Sequence, residues 1–182
     1  AATSAPVSIT GGTLELANLA QTIASLQFSG GSLTGSATLT LGTIGSQWSG
    51  GSMNGTGTLS VGTGANLAIS GAGIDHDFNG RSVVNNGTVN WSGGNLRAGS
   101  GSVLTNAGML NDQNTGAAVF SRPTAFGGTF TFTNNGTYNK TGAGTTTFSI
   151  PVTNNDAFSV SGGNLQFAST FTQTAGTLTV SN

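Results

Sequence analysis

A short motif returns along this chain at spacings close to multiples of 20–23 residues. Each copy has a large apolar residue, then Ser-Gly-Gly, a polar residue and Leu or Met; the copies are residues 28–33, 48–53, 91–96 and 160–165. A second marker, Asn-Asn-Gly-Thr, begins at Asn85 and at Asn134 and returns in altered form at Asn154. Such periodicity is typical of proteins in which each repeat is a small unit that stacks on the next. We expect residues 1–182 to form one such stack.

Each repeat has the pattern of short β-strands separated by turns. Apolar and hydroxyl residues alternate, which predicts strands with one buried face, over residues 58–61, 88–91, 129–133 and 177–180. The Gly-Gly, Asn-Gly and Gly-Thr-Gly sequences between them accept the positive φ values that tight turns need. One segment is ambiguous, because Leu16, Leu19, Ile23 and Leu26 lie at helical spacing. The alternatives there are a helix or two strands, and the surrounding repeats favour the strands.

Short strands in a repeat of this length favour one all-β architecture. A β-propeller blade needs about 40 residues or more. A sandwich of hairpins needs strands long enough to pair in antiparallel fashion, and its turns would not recur at one length. The sequence therefore predicts a parallel β-solenoid (β-helix) with about eight coils of roughly 20–23 residues, whose equivalent strands stack at about 4.8 Å.

The composition excludes several classes of function. The chain has four Lys and Arg against five Asp and Glu, with a net charge of −1, so it has no basic face for nucleic acid. It has no apolar run long enough to insert in a membrane as a helix, and no cysteine for a disulfide or a thiol nucleophile. Stacked coils also explain the low charge, because like charges would face one another, whereas Asn and Thr can form hydrogen-bonded ladders.

Two segments resemble known bacterial repeats. The sequence around residues 14–42, with a leucine-rich strand, Thr-Ile-Ala-Ser-Leu and a Gly-bounded Thr-Leu-Thr-Leu, resembles the passenger-associated β-strand repeat of bacterial autotransporters. Residues 85–96 are similar to the β-strand repeats of large bacterial surface proteins. This resemblance implies a right-handed β-helix at the cell surface. It carries over no catalytic residue, because the repeats of that family contain none.

Asp75-His76-Asp77-Phe78-Asn79-Gly80 is the one dense cluster of ligand-type side chains. It matches the opening of a calcium loop, in which alternate oxygens converge on a hard cation. The bidentate Glu expected at the twelfth position is absent, since Asn86 stands there. The interpretation that we favour is a polar loop between coils, in which Arg81 partly neutralises the acids. We therefore predict no metal and no cofactor, and leave calcium at Asp75–Asn79 as the alternative.

An enzyme is the less favoured interpretation. His76 is the sole histidine, and the carboxylates other than Asp75 and Asp77 stand singly, so neither a triad nor an opposed carboxylate pair is indicated. A polysaccharide-cleaving site could be assembled from Asp75, Asp77 and Arg81 only if three more basic residues converged with them: Arg97, Arg122 and Lys140. We predict no catalytic residue. Convergence of these groups in one groove would favour a carbohydrate-active protein, and scatter would favour a structural one.

Two other patterns have ordinary explanations. Alternating threonines, as at residues 129–133 and 170–174, are typical of ice-binding solenoids, which need the pattern once per coil at the same phase. Because here it is concentrated after residue 128, we interpret these residues as solvent-facing strand threonines. Trp48, Trp91 and Tyr138 could stack on sugars, but the two tryptophans occupy the position of Phe28 and Val160 in the repeat, which favours the core or a corner stack.

Together these patterns predict a non-enzymatic structural or adhesive segment of an extracellular bacterial surface protein. The alternative is a carbohydrate-binding or polysaccharide-cleaving β-helix. Residues 7–10 and 177–180 are uncharged alternating strands, and open sheet edges recruit further strands. The expected partners are therefore neighbouring repeats or copies of this chain end to end, as in a longer array or a filament, with cell-surface glycans as a further partner class.

Overall fold

The structure is a computed structural model that describes residues 2–3 and 5–181 of the chain. Over these residues it has 24 short strands and a single-turn 3-10 helix, Thr124–Phe126. All strand pairs are parallel, and equivalent strands stack into the walls of a parallel β-solenoid of nine turns. Each complete turn gives one strand to each of three faces, which we call face 1, face 2 and face 3. The hand of the solenoid stays a prediction.

The three faces are built in the same order in successive turns. Face 1 consists of β1 (Ala2–Thr3), β4 (Gln21–Ile23), β6 (Leu39–Leu41), β8 (Thr58–Val61), β11 (Ser82–Asn85), β14 (Ser102–Asn106), β17 (Phe130–Asn134), β20 (Val152–Asn154) and β23 (Phe171–Gln173). Face 2 consists of β2 (Val7–Ile9), the first halves of β5 (Leu26–Thr34) and β7 (Ser46–Met53), then β9 (Asn66–Ile69), β12 (Thr88–Trp91), β15 (Met109–Asp112), β18 (Thr137–Lys140), β21 (Ala157–Val160) and β24 (Thr177–Val180). Face 3 consists of β3 (Thr13–Glu15), the second halves of β5 and β7, then β10 (Asp75–Asp77), β13 (Asn95–Arg97), β16 (Ala118–Ser121), β19 (Thr145–Phe148) and β22 (Asn164–Phe167).

The predicted all-β solenoid is confirmed, and several strands have the predicted bounds. β8, β12 and β24 coincide with the alternating segments, and β17 is displaced by one residue at each end. The ambiguous leucine-rich segment forms β3, β4 and the start of β5 rather than a helix. Leu19, which a helix would have buried, is 74% exposed between two of these strands.

The length of a turn varies more than the sequence suggested. Asn134 stacks on Asn154, 20 residues later, but Asn106 stacks on Asn134, 28 residues later. The long turn contains an excursion between β16 and β17 that includes the 3-10 helix. Because the strands stay in parallel register on both sides of it, the extra residues lie at a corner between faces 3 and 1.

The Ser-Gly-Gly motif forms the corner between faces 2 and 3. Its second glycine has a positive φ, as in Gly51 (80°) and Gly94 (83°), where an L side chain would be strained. Its first glycine lies against the preceding turn: a Cβ on Gly50 would stand 2.5 Å from the carbonyl oxygen of Ser29. Both glycines are therefore required by the corner and by the close stacking of turns.

The core runs through all the complete turns but changes in composition along the axis. In the first turns it is mainly aliphatic, with Leu26, Leu33, Leu39, Met53 and Leu59 buried. In the later turns, phenylalanines stack between turns: the ring centroids of Phe120 and Phe148 are 4.3 Å apart, and those of Phe148 and Phe167 are 5.6 Å apart.

A column of buried asparagines lines the corner between faces 1 and 2. The side-chain amide of Asn85 donates to Asn106, that of Asn106 to Asn134 and that of Asn134 to Asn154, each at 2.7 Å; Asn154 donates to Gln173 at 3.0 Å. We call Asn85, Asn106, Asn134 and Asn154 the Asn column. The predicted Asn ladder is thus confirmed, and three of its four members begin the Asn-Asn-Gly-Thr marker or its altered copy.

Over residues 2–3 and 5–181, no helix has the length and apolar character required to cross a membrane.

Candidate functional site

The charged cluster around Asp75 lies on the outer surface of face 3. Asp75 and Asp77 project outward from β10, and Arg97 projects beside them from β13, one turn later. Arg97 forms a bidentate pair with Asp77, at 2.7 Å from Nε to Oδ1 and 2.9 Å from Nη2 to Oδ2, and its Nη1 lies 2.6 Å from Asp75 Oδ2. The expected loop is therefore a strand, because the alternation Asp-His-Asp places His76 in the core and both acids outside.

Arg97, rather than Arg81, neutralises these acids, and Asp77 stabilises the charged form of Arg97. Hydrogen bonding to Asp77 raises the pKa of Arg97 above its ordinary value, and this outweighs the opposing effect of partial burial. Asn95 Nδ2 also donates to Asp75 Oδ1 at 2.8 Å. The two carboxylates are thus committed to Arg97 and Asn95.

Asn79 does not join Asp75 and Asp77. Its Oδ1 is buried without a hydrogen-bond partner and lies near Gly99, where a Cβ would stand 3.1 Å from it. Among the described residues, no three His, Cys, Asp or Glu side chains are grouped as a metal site would require. Asn79 Oδ1 thus lies beside Gly99 of the next turn, whereas Asp75 and Asp77 bind Arg97 and Asn95; calcium at Asp75–Asn79 stays an alternative from the sequence.

The excursion between β16 and β17 brings an aromatic ring to this cluster. The Phe126 ring centroid lies 5.8 Å from Cζ of Arg97, a cation–π distance. The excursion is anchored on the preceding turn, because Ser100 N donates to Gly127 O at 2.9 Å and Ser100 Oγ to Phe126 O at 2.8 Å. Two acids, one arginine and one ring therefore share a patch on face 3, which we call the Arg97 patch (Asp75, Asp77, Arg97 and Phe126).

The expectation that Arg81 neutralises the acids is wrong. Arg81 is fully buried at the corner between faces 3 and 1, and burial lowers the pKa of its guanidinium. It donates to three backbone carbonyls of earlier turns: Asn54 at 3.2 Å, Ala37 at 3.4 Å and Gly35 at 3.0 Å. Its role is to hold three turns together.

Lys140 is also in the interior, in a polar cluster that the sequence did not reveal. Lys140 stacks on Asp112 of the preceding turn, with 3.7 Å between Nζ and Oδ1, and both side chains are fully buried. Asp112 Oδ2 accepts hydrogen bonds from Tyr138 at 2.7 Å and from Thr146 at 2.5 Å. Burial, together with the nearby Asp112 carboxylate, raises the pKa of Tyr138 well above its ordinary value.

His76 is a second buried titratable group. Its ring packs edge-on against Trp48, at 4.9 Å between centroids, and neither ring nitrogen makes a well-aligned hydrogen bond. Burial lowers the pKa of His76, although the backbone of Gly93 and Ser70 and the two flanking aspartates oppose this shift. The side chain faces the core and does not reach the Arg97 patch.

The tryptophans are core residues, as their repeat positions predicted. The indole N–H of Trp48 donates to Gly51 O at 3.4 Å, and that of Trp91 donates to the carbonyls of Gly93 and Gly94, each at 3.2 Å. Both rings are buried, and so is Tyr138. None of the three presents a face for a sugar.

Of the six groups considered for a polysaccharide-cleaving site, the structure brings three together. Asp75, Asp77 and Arg97 meet on face 3, whereas Arg81 and Lys140 are buried in separate parts of the core. Arg122 is exposed and borders a cleft formed with β17 and the residues before β20. Arg81, Arg122 and Lys140 therefore lie apart from the Arg97 patch.

Comparison with family models, curated proteins and solved structures finds no match for this chain. What is established is the class: a parallel β-solenoid, a fold compatible with β-helix surface proteins. Membership of the autotransporter passengers stays a prediction from the sequence.

Proposed function

We propose that this protein is a non-enzymatic structural or adhesive segment of an extracellular bacterial surface protein. The observation that carries the proposal is that buried charged side chains bind neighbouring turns to one another. Arg81, Lys140 and Asp112 bind groups of other turns inside the solenoid, so they contribute to cohesion and are withheld from solvent. A rod whose polar groups join turn to turn resists bending and pulling.

Mechanical unfolding tests this role. The chain, placed between two reference domains and pulled by its ends, is expected to lengthen in steps close to one turn, because each turn is bonded mainly to its two neighbours. In the Lys140→Met variant, the later turns should unfold at a lower force than the first turns. Release of the whole chain in one event at low force would contradict the structural proposal.

A carbohydrate-binding role is the second candidate, and the Arg97 patch supports it. Carboxylates and a guanidinium can bind sugar hydroxyls, an aromatic ring can pack on sugar C–H groups, and Phe126 is only half-buried. A glycan array probed with the protein and with Phe126→Ala tests this candidate: glycan binding lost in the variant supports it. Soluble oligosaccharides released from a polysaccharide, and lost with Asp77→Asn, would instead overturn the non-enzymatic proposal.

Copies of this chain or neighbouring repeats are the proposed partners of the end turns. Leu178 and Val180 of β24 are 45% and 68% exposed, and at the other end Val7, Leu14 and Leu16 are only partly covered. Sedimentation velocity should show association that increases with concentration and that falls in Leu178→Lys, since a charge on this surface opposes apolar contact. Association unaffected by that substitution would place the contact elsewhere.

A further inference from the structure

Face 1 carries a regular array of hydroxyl and methyl groups on its outer surface. One outward position per turn, in unbroken register over eight turns, holds Thr22, Thr40, Ser60, Val84, Thr105, Thr133, Thr153 and Thr172. The position two residues earlier is filled from the third turn to the seventh by Thr38, Thr58, Ser82, Val103 and Thr131. We call these thirteen residues the Thr array.

The threonines at residues 129–133 and 170–174 face solvent, as the sequence predicts. The pattern is not concentrated after residue 128, however, because it recurs in consecutive turns at one phase. Turns of unequal length hid the phase, and Ser or Val substitutes for Thr in some turns. Val and Thr have the same shape, so the methyl surface of the array continues through Val84 and Val103 where a hydroxyl is missing.

The hydroxyl groups of the Thr array are free for solvent. On the other two faces, outward polar groups bind one another: Asn111 donates to Asn90 at 2.8 Å, Arg97 to Asp77, and Thr147 to Gln166 at 3.2 Å. In the part of the chain that the structure describes, no side-chain hydrogen bond involves a member of the Thr array. A hydroxyl both donates and accepts, so each can bind water in either sense.

The geometry of the array selects a periodic, uncharged occupant. Members of one column are about 4.8 Å apart, and the two columns are separated by two residues of a strand, about 6.8 Å. Stacking keeps such a sheet flatter than an open twisted sheet. No strand of face 1 contains a charged residue, so the face offers no charge to an ionic partner. No member of the array is aromatic, so it offers no ring to stack on a sugar.

We propose that the Thr array binds ice. The spacing between turns is close to the repeat of water oxygens along one axis of hexagonal ice, so a row of hydroxyls can hold waters at lattice positions while the methyl groups order the waters between them. Because many weak contacts form at once, a rigid array suffices where a single threonine would not. This activity goes beyond the structural role proposed above and does not depend on it.

The test uses two substitutions of the same kind in the same turn. Thr133→Tyr places a ring in the middle of the array, whereas Thr137→Tyr places one on face 2, where the residue is equally half-buried. Thermal hysteresis, ice recrystallisation and binding of the labelled protein to a growing ice hemisphere are measured for each. Thr105→Lys serves as a second array variant, and circular dichroism melts verify that each variant is folded.

The unaltered protein and Thr137→Tyr should bind the ice hemisphere and arrest recrystallisation, and the two array variants should lose at least several-fold of this activity. Absence of hysteresis and of ice binding in the unaltered protein would overturn the proposal. So would equal activity of Thr133→Tyr and Thr137→Tyr. Binding to crystalline cellulose or chitin that Thr133→Tyr removes, without binding to ice, would assign the array to a crystalline polysaccharide instead.

Discussion

The first four turns and the turns that follow solve the same packing problem with different chemistry. At the corner between faces 1 and 2, one column reads Ile23, Leu41 and Val61 and then continues as the Asn column. The length of the corner alone does not explain the change: residues 62–65 join β8 to β9 and only residues 86 and 87 join β11 to β12, but residues 24 and 25 also form a two-residue corner after Ile23. In the first turns, apolar side chains fill the column at both corner lengths.

In the later turns, the asparagine amides bind backbone carbonyls at the corner. Asn85 Nδ2 donates to Met109 O at 2.8 Å, and Asn134 Nδ2 donates to Ala157 O at 2.9 Å, besides their bonds within the column. A buried polar group with its partners in place strengthens the fold, and without them it weakens it. At this corner, the later turns therefore depend on bonds that must all be present, whereas the first turns depend on apolar area.

The largest expected effect is the loss of the buried ion pair. Lys140→Met leaves Asp112 as an unpaired buried charge, which typically costs about 3–5 kcal/mol of the free energy of unfolding. Equilibrium urea denaturation followed by circular dichroism measures it. The double variant Asp112→Val with Lys140→Val, which imitates Ile69 and Val160 in the same column, should recover part of the loss but not all, because Tyr138 and Thr146 then lack an acceptor. No recovery would mean that packing, and not charge, dominates this site.

The Asn column should show the next effect. Asn134→Leu removes the acceptor of Asn106 and the donor to Asn154, and each buried group left unpaired costs about 1–3 kcal/mol. The matched control is Asn139→Leu, in the same turn but on the outer surface of face 2, which should change the free energy of unfolding by no more than about 0.5 kcal/mol. Equal losses of free energy of unfolding in the two variants would show that a buried asparagine of the Asn column contributes no more than an asparagine on the outer surface.

The two regions should also respond to opposite extremes of pH. The pKa of His76 is lowered in the folded state, so its contribution to stability is complete above its ordinary value of 6.5 and is lost as the pH falls below it. The pKa of Tyr138 is raised, so its contribution is complete below 10.0 and is lost as the pH rises through the raised value. Each group changes the free energy of unfolding by at most about 1.4 kcal/mol per pH unit.

Urea midpoints measured across pH separate these contributions. In His76→Phe, the urea midpoint should fall less at acid pH (the acid limb) and behave at alkaline pH as in the unaltered protein. In Tyr138→Phe, it should fall less at alkaline pH and behave at acid pH as in the unaltered protein. An acid limb that is the same in His76→Phe as in the unaltered protein would show that other groups govern acid stability.

The smallest effect is expected at the Arg97 patch. Asp77→Asn weakens an ion pair whose side chains are 28% and 19% exposed, and such pairs contribute no more than about 1 kcal/mol. The loss should decrease further in high salt, because exposed charges are screened. A loss comparable with that of Lys140→Met would mean that face 3 depends on charge as strongly as the interior does.

The sequence predicted those features that one repeat contains by itself. The Ser-Gly-Gly corner, the alternating strands and the Asn-Asn-Gly-Thr marker are local, so the β-solenoid and the burial of Trp48 and Trp91 followed from them. Residues that meet only across turns were not predictable in this way. Asp112 and Lys140 occupy the position of the tryptophans in the repeat. Because Asn114 and Thr115 stand in place of the two glycines of the motif, the sequence does not show that Asp112 is equivalent to Trp91. Arg97, and not Arg81, pairs with the acids because a strand, and not a loop, determines which side chains face inward.

The excursion at residues 122–129 shows that a corner between faces 3 and 1 admits extra chain while the strands on either side keep their pairing. Such a corner can accept an inserted segment. A peptide epitope, an enzyme-recognition tag or a fluorescent label inserted there would project from the rod at a known height along its axis. Equivalent corners in other turns would set the distance between two such inserts in steps of one strand spacing, about 4.8 Å, so that the protein would serve as a molecular ruler.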